Sequence, residues 1–112
     1  MRVLVTRPVE DAAPLAARLT AMGHAPLLAP LLATRFFAGP EPDFTNVQAI
    51  LATSANGVRA FARATARRDL PLFAVGPATA QAARDVGFTR VEQGPGGDAL
   101  GLAAWVIERL SP

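Results

Sequence analysis

The chain has no cysteine, no lysine and no tyrosine, and only one histidine and one tryptophan among its 112 residues. Without cysteine there can be no disulfide, no thiolate nucleophile and no Cys-based zinc site, and one histidine cannot build a histidine-rich metal centre. No metal is expected. No apolar run approaches the ~20 residues that span a bilayer, so no membrane partner is expected. The opening MRVLVTRP places a single Arg before a short β-branched run that leads straight into charge, which fits neither a secretory signal nor a transit peptide. The reading is a cytoplasmic protein. With lysine absent, every basic residue is Arg, which explains a sequence pI near 11.0 beside a formal net charge of only +2. These Arg are scattered, only Arg67 and Arg68 being adjacent, so no nucleic-acid face is expected. An anionic small ligand remains compatible, because Arg holds carboxylates in a planar, bidentate fashion.

What is present is a globular composition, 51% apolar and 18% charged, in a length that suits one compact unit. Val3-Leu4-Val5 is a β-branched run, and from Ala12 the apolar positions Leu15, Ala16, Leu19 and Met22 follow helical spacing to a terminating Gly23. Pro14 is tolerable if that helix starts near Asp11. Residues 26–33 are apolar but interrupted by Pro30, which allows an edge or connecting strand. AGPEPDFTN, residues 38–46, has two Pro, a Gly and no periodicity, and is the linker. Residues 47–52 then read as a buried strand, Ser54 as the N-cap of a helix with Val58, Phe61, Ala62 and Thr65 inward, and residues 70–75 as another strand. Gly76-Pro77 opens a helix that Gly87 closes, Arg90 to Glu92 forms a short strand, and Asp98 caps a last helix with Leu102, Ala103, Val106, Ile107 and Leu110 on one side.

The order β-α-β, linker, β-α-β-α-β-α predicts an α/β fold: a parallel sheet of flavodoxin-like β-α repeats in three layers, with right-handed crossovers. Ligands of such sheets gather outside the carboxyl ends of the strands. Three strand-to-helix junctions, VTRP, ATSANG and AVGPATA, are short, polar and free of large side chains, and each feeds a helix N-terminus that favours a carboxylate or phosphate. Thr53, Ser54 and Asn56 place neutral donors at that edge, and Thr6, Arg7, Gly76 and Thr79 occupy the neighbouring junctions. These seven are the candidate substrate-binding residues.

As an ordered set, LVTRP, GHAPLLAPLL, TSANGVRAF and FAVGPATAQAARDVGF resemble the N-terminal half of the uroporphyrinogen-III synthase family. The resemblance implies two α/β lobes facing each other across a cleft, the first built from both ends of the family's chain and the second from its middle. Residues 1–34 then correspond to the start of the first lobe, 35–46 to the linker and 47–112 to the beginning of the second, incomplete relative to the family fold. It also implies a cofactor-free enzyme of tetrapyrrole synthesis, which closes linear hydroxymethylbilane with inversion of the last pyrrole and loss of water. Carried over residue by residue, Arg7, Thr53, Ser54 and Thr79 line the cleft and Gly76 allows close approach. A Tyr suspected in the family of assisting the hydroxyl's departure has no counterpart here, so no catalytic residue is assigned. A truncated parallel sheet is expected to leave an unpaired edge, favouring self-association or dependence on a missing half.

Plainer readings stand beside these. Ser54 can act as a helix cap alone, and the Thr79 hydroxyl can satisfy its own backbone. His24 reads as a surface or helix-dipole partner and GPGG as a turn. Arg63, Arg67 and Arg68 read as a solvated helix face, and Trp105 as an apolar anchor or a partner-facing residue. Two alternative functions stay open: a family member that keeps the fold without the activity, or a flavodoxin-like small-molecule-binding or signalling module. The run Val3-Leu4-Val5 ends in Thr-Arg rather than the Asp of a phosphoacceptor, which disfavours signalling.

Overall fold

The computed structural model describes residues 1–110. Four helices and five strands follow the alternation the sequence predicts, and they form two compact units, residues 1–36 and 37–112.

In the first unit, β1 (Arg2–Val5) and β2 (Ala25–Leu28) pair in parallel around α1 (Val9–Ala21). The helix starts two residues before the expected Asp11, with Asp11 and Ala12 both donating to the Pro8 carbonyl. Pro14 therefore lies inside the helix rather than in its first turn, at the cost of one backbone hydrogen bond. The helix ends as Gly23 (φ 83°) turns left-handed, with Gly23 N–H on Thr20 O and His24 N–H on Leu19 O. That paired geometry needs a residue without Cβ strain. His24 is half-buried, and its Nδ1 is sealed from solvent without a hydrogen-bond partner among the described residues. Strand β2 stops before Pro30. Ala25 N–H donates to the carbonyl of Met1, just before β1, and Ala29 N–H to that of Val5, so by the two-residue alternation the missing N–H of Pro26 falls on the other edge, which no described strand pairs.

In the second unit, β3 (Ile50–Ala52), β4 (Leu72–Ala74) and β5 (Val91–Gln93) form a parallel sheet in that order. The register sets Ala52 beside Ala74 and Ala74 beside Gln93. Side chains alternate between the faces. Ala52, Leu72 and Ala74 pack under α2 (Ala55–Ala64) and α3 (Pro77–Asp85) with Val58, Ala80, Ala83 and Phe88. On the opposite face Phe73 packs under α4 (Ala99–Ile107) with Leu102, Val106 and Trp105. This is the helix-sheet-helix layering that the alternation implies. Trp105 serves as an anchor, its ring edge-on to Phe73 at 5.7 Å.

Two expectations change. The strand read over residues 47–52 is shorter, and Leu51 is 46% exposed. The reason is that the Leu51 face is the one covered by the single helix α4, which sits over Phe73. Arg67 and Arg68 are not on a helix face either, because Thr65 turns extended (φ −151°, ψ 151°) and ends α2 before them. Arg68 instead clamps two helix C-termini. Its Nε donates to Val86 O at 2.9 Å, Nη1 to Thr65 O at 2.8 Å and Arg67 O at 2.7 Å, and Nη2 to Ala62 O at 3.2 Å, while its guanidinium lies over Phe88. A cation at these ends satisfies carbonyls that have no helical donor and complements the dipole of each helix.

Replacing Arg68 by Ala is expected to destabilise the fold by about 2 to 3 kcal/mol, since bonds to a charged donor are lost and part-buried carbonyls are left unpaired. Thermal denaturation checks it. Arg68→Lys should recover only part of the loss, because one ammonium cannot reach carbonyls spread across a planar fork. A melt of Arg68→Ala coincident with wild type would show that the carbonyls find other partners.

Candidate functional site

The two junctions ATSANG and AVGPATA emerge side by side. Parallel pairing aligns the ends of β3 and β4, and the stitching continues past the strands: Val75 N–H donates to Ala52 O at 3.0 Å and Gly94 N–H to Ala74 O at 2.8 Å. The last carbonyls of β3 and β4 are thereby occupied within the sheet. What the rim presents outward is weighted toward donors.

At the first junction Thr53 and Ser54 are exposed and Asn56 is half-buried. Ser54 Oγ accepts from Gly57 N–H at 2.9 Å, so the cap reading is correct as structure. The cap leaves the Ala55 and Asn56 N–H groups without an intrahelical acceptor. Gly57 fits closely here, because a Cβ on it would meet Ser54 Oγ at 3.1 Å. A cavity of about 190 Å³ opens beside the junction, lined by Thr53, Ser54, Gly57 and the apolar Ile50, Val58 and Phe61. At the second junction Gly76 is the N-cap of α3 and offers no side-chain cap, and Pro77 has no N–H. The Ala78 and Thr79 N–H groups are again without a helical acceptor. Open space lies where a Gly76 Cβ would stand, so backbone is what a visitor meets there. Thr79 is 5% exposed, so its side chain is packed within α3 and only its backbone N–H belongs to the helix start, unlike the exposed donor the sequence suggests.

Neither α2 nor α3 carries an acid in its first turn. Their positive ends are therefore not neutralised from within. The third junction of this sheet differs: Asp98 caps α4 by accepting from Gly101 N–H at 2.9 Å, after the left-handed Gly96 and Gly97. A carboxylate already sits at that helix start. GPGG forms a turn leading to the cap, as its composition suggests.

Thr6 and Arg7 belong to the first unit, exposed between β1 and α1, where Thr6 O accepts from Leu31 N–H at 3.2 Å. A cavity of about 240 Å³ lies nearby, lined by Val9, Glu10 and residues 30–34. Here the first turn of α1 holds Glu10 and Asp11, which oppose an incoming anion. The donor-rich rim of the second unit thus gathers Thr53, Ser54, Asn56 and Gly76, with Thr79 buried behind it, whereas Thr6 and Arg7 stand at a junction of different electrostatic character.

One side-chain bond next to the rim escaped the sequence reading. Arg59 Nη1 donates to Asn56 Oδ1 at 2.8 Å, a part-buried bond one helical turn apart. The Asn-x-x-Arg spacing was the available signal, because residues three apart on a helix are neighbours.

Ionisations are perturbed at the other end of the sheet. The backbone and hydroxyl of Thr45 hold the Asp43 carboxyl below its ordinary value, and the hydrogen bond with Arg67 lowers Asp69 while raising Arg67. Glu41 accepts from the Thr65 hydroxyl in the same unit. Among the described residues, no helix is long and apolar enough to cross a membrane, and no group of three or more His, Asp or Glu could hold a metal ion.

No curated protein matches the chain. A family model described as uroporphyrinogen-III synthase HemD matches residues 13–112, which takes in both junctions of the donor-rich rim and all but the first strand and the start of α1. With nearly the whole sequence matched and the parallel α/β architecture in place, the chain belongs to the uroporphyrinogen-III synthase family.

Proposed function

We propose that the chain acts in ring closure of hydroxymethylbilane, with inversion of the last pyrrole and loss of water, and that its second unit supplies part of the surface that holds the substrate. The observation that carries this reading is the parallel register that sets two unneutralised helix starts side by side, one capped by Ser54 and the other with bare backbone at Gly76. A linear tetrapyrrole with carboxylate arms needs donors rather than a reactive side chain, because the substrate can close unaided to the uninverted isomer. Catalysis is then a matter of holding the chain so that the substituted carbon of the last ring attacks first. Orientation of this kind accounts for large rate factors without covalent participation, and fixed donors near the departing hydroxyl assist it. Thr53, Ser54 and the backbone at Gly76 are the groups assigned to this positioning. In this reading residues 1–34 supply the start of one lobe and 47–112 the start of the other.

Incubating the purified chain with hydroxymethylbilane and separating the oxidised porphyrins by chromatography tests the proposal. The inverted isomer is expected above the protein-free control. Only the uninverted isomer, at the protein-free rate, would assign the chain to the alternative of a family fold without activity.

Ser54 separates support of the helix from contact with the ligand. Ser54→Ala should lose about 1 kcal/mol of stability with the cap. Ser54→Asp keeps the cap, so its melt should match wild type closely, but it puts a negative charge where carboxylate arms are proposed to lie. Formation of the inverted isomer should fall about tenfold, equivalent to ~1.4 kcal/mol. Equal activity of the Asp variant would confine Ser54 to capping.

A further inference from the structure

A strand at the edge of a sheet exposes a row of unpaired backbone groups, and a charge or a proline in that strand is a common guard against unwanted pairing. The described edges follow this rule with one exception. In the first unit β1 carries Arg2 and β2 carries Pro26, and in the second β5 carries Glu92. The remaining edge strand, β3, reads Ile50-Leu51-Ala52 and has neither guard. Ile50 N–H donates to Pro71 O and Ala52 O accepts from Val75 N–H, so these two residues face β4. The alternation turns the N–H and C=O of Leu51, and of Ala49 just before it, to the open side.

Both faces beside this edge are apolar. On the α4 side lies a groove of about 510 Å³ lined by Val47, Ala49, Leu51, Ile107 and Leu110, with Leu51 46% and Ile107 75% exposed. On the α2 side lies the cavity of about 190 Å³ whose walls include Ile50, Val58 and Phe61. No charged residue lines either of them. That absence selects among occupants. A two-fold interface sets a patch against itself, so every charge within it meets its like, and this patch has none to repel. The side chains suit a copy of this chain as well. With the two-fold axis normal to the sheet, two β3 strands run antiparallel and keep their like faces on one side. When Ile50 lies opposite the partner's Ile50, Leu51 and the partner's Ala49 exchange both backbone bonds, a large side chain beside a small one.

We infer that the β3 edge pairs with the β3 edge of a second copy of this chain, covering Leu51 and the groove beside Ile107. Each copy spends its one unguarded edge in this unit, and Glu92 guards the other, so assembly closes at two. The inference does not depend on the tetrapyrrole reading of the rim.

Sedimentation of the full chain over a wide concentration range tests it. A reversible monomer–dimer equilibrium is expected, with a limiting mass twice the 11.7 kDa of one chain. Ala49→Pro removes a donor from the open side of β3, and Ile107→Glu brings a like charge into both copies of the groove. Each should raise the dimer Kd by at least about tenfold. Ile107 is exposed in the single chain, so Ile107→Glu is expected to melt as a folded monomer, which keeps the test decisive if Ala49→Pro does not fold. Gln93→Pro, which removes an N–H from the open side of β5, should leave the equilibrium unchanged. The mass of one chain at every concentration overturns the inference, and so does open-ended growth. Loss of the dimer in Gln93→Pro, or a dimer of Ile107→Glu as tight as wild type, overturns the assignment to β3.

Discussion

The pairing of Ala52 with Ala74 is the constraint on which the second unit turns. Both side chains are small and buried, Ala74 completely, and they lie where two strands end and two helices begin. A larger residue at either position would push α2 or α3 off the sheet, since close-packed interiors have no slack for an added methylene group. Because the strands run in parallel and end in step, each chain crossing returns to the same side before emerging. The common rim is thus a result of register, and the polar junctions occupy it because each comes directly after the end of a strand.

The two ends of that sheet have been given different chemistry. At the amino end Arg67 and Asp69 pair, Glu41 meets Thr65, and Arg68 closes four carbonyls around the ends of α2 and α3. At the carboxyl end the hydroxyls of Thr53 and Ser54 and bare backbone at Gly76 gather without an acid in the first turn of either helix. This separation has a physical logic. Carbonyls at helix C-termini demand donors that stay put, so a charged fork is well used there for stability. Helix N-termini demand acceptors, and a cap that satisfies only part of the demand leaves the remainder for a ligand.

Much of this was legible in the sequence, for identifiable reasons. Ser54, Asp98 and Gly76-Pro77 marked three helix starts correctly because capping and the fixed φ of proline are local effects. Gly23 and Gly87 marked two ends correctly because each adopts positive φ. The errors came from effects that are not local. Pro14 was tolerated two residues deeper in its helix than the spacing allowed, and the apolar run at residues 47–52 suggested burial that a face covered by one short helix does not provide. Arg68 looked like one more charge in a helical series, since nothing in the spacing shows that Thr65 would break the helix and turn its neighbour inward. Of the rim, the residue types and their order could be read. Their grouping depended on register, and the role of Asn56 toward Arg59 depended on a side-chain bond.

The face of the sheet that α4 alone covers bears on the same question of division. Helix α4 is apolar on nearly all sides, and Leu100 and Ile107 remain 79% and 75% exposed although Leu102 and Val106 are buried. A helix of that kind is ordinarily enclosed. Leu51, on the same side, borders a groove of about 510 Å³ with Val47, Ile107 and Leu110. The face with α2 and α3, by contrast, has a closed core running from Val58 to Phe88. The rim therefore rests on the better-packed half of the unit, where the first turns of α2 and α3 are held by the sheet beneath and by Arg68 behind. For a reaction proposed to depend on orientation, that is the half in which fixed donors can keep their geometry, since the tolerance for misplacement at a positioning site is on the order of 1 Å.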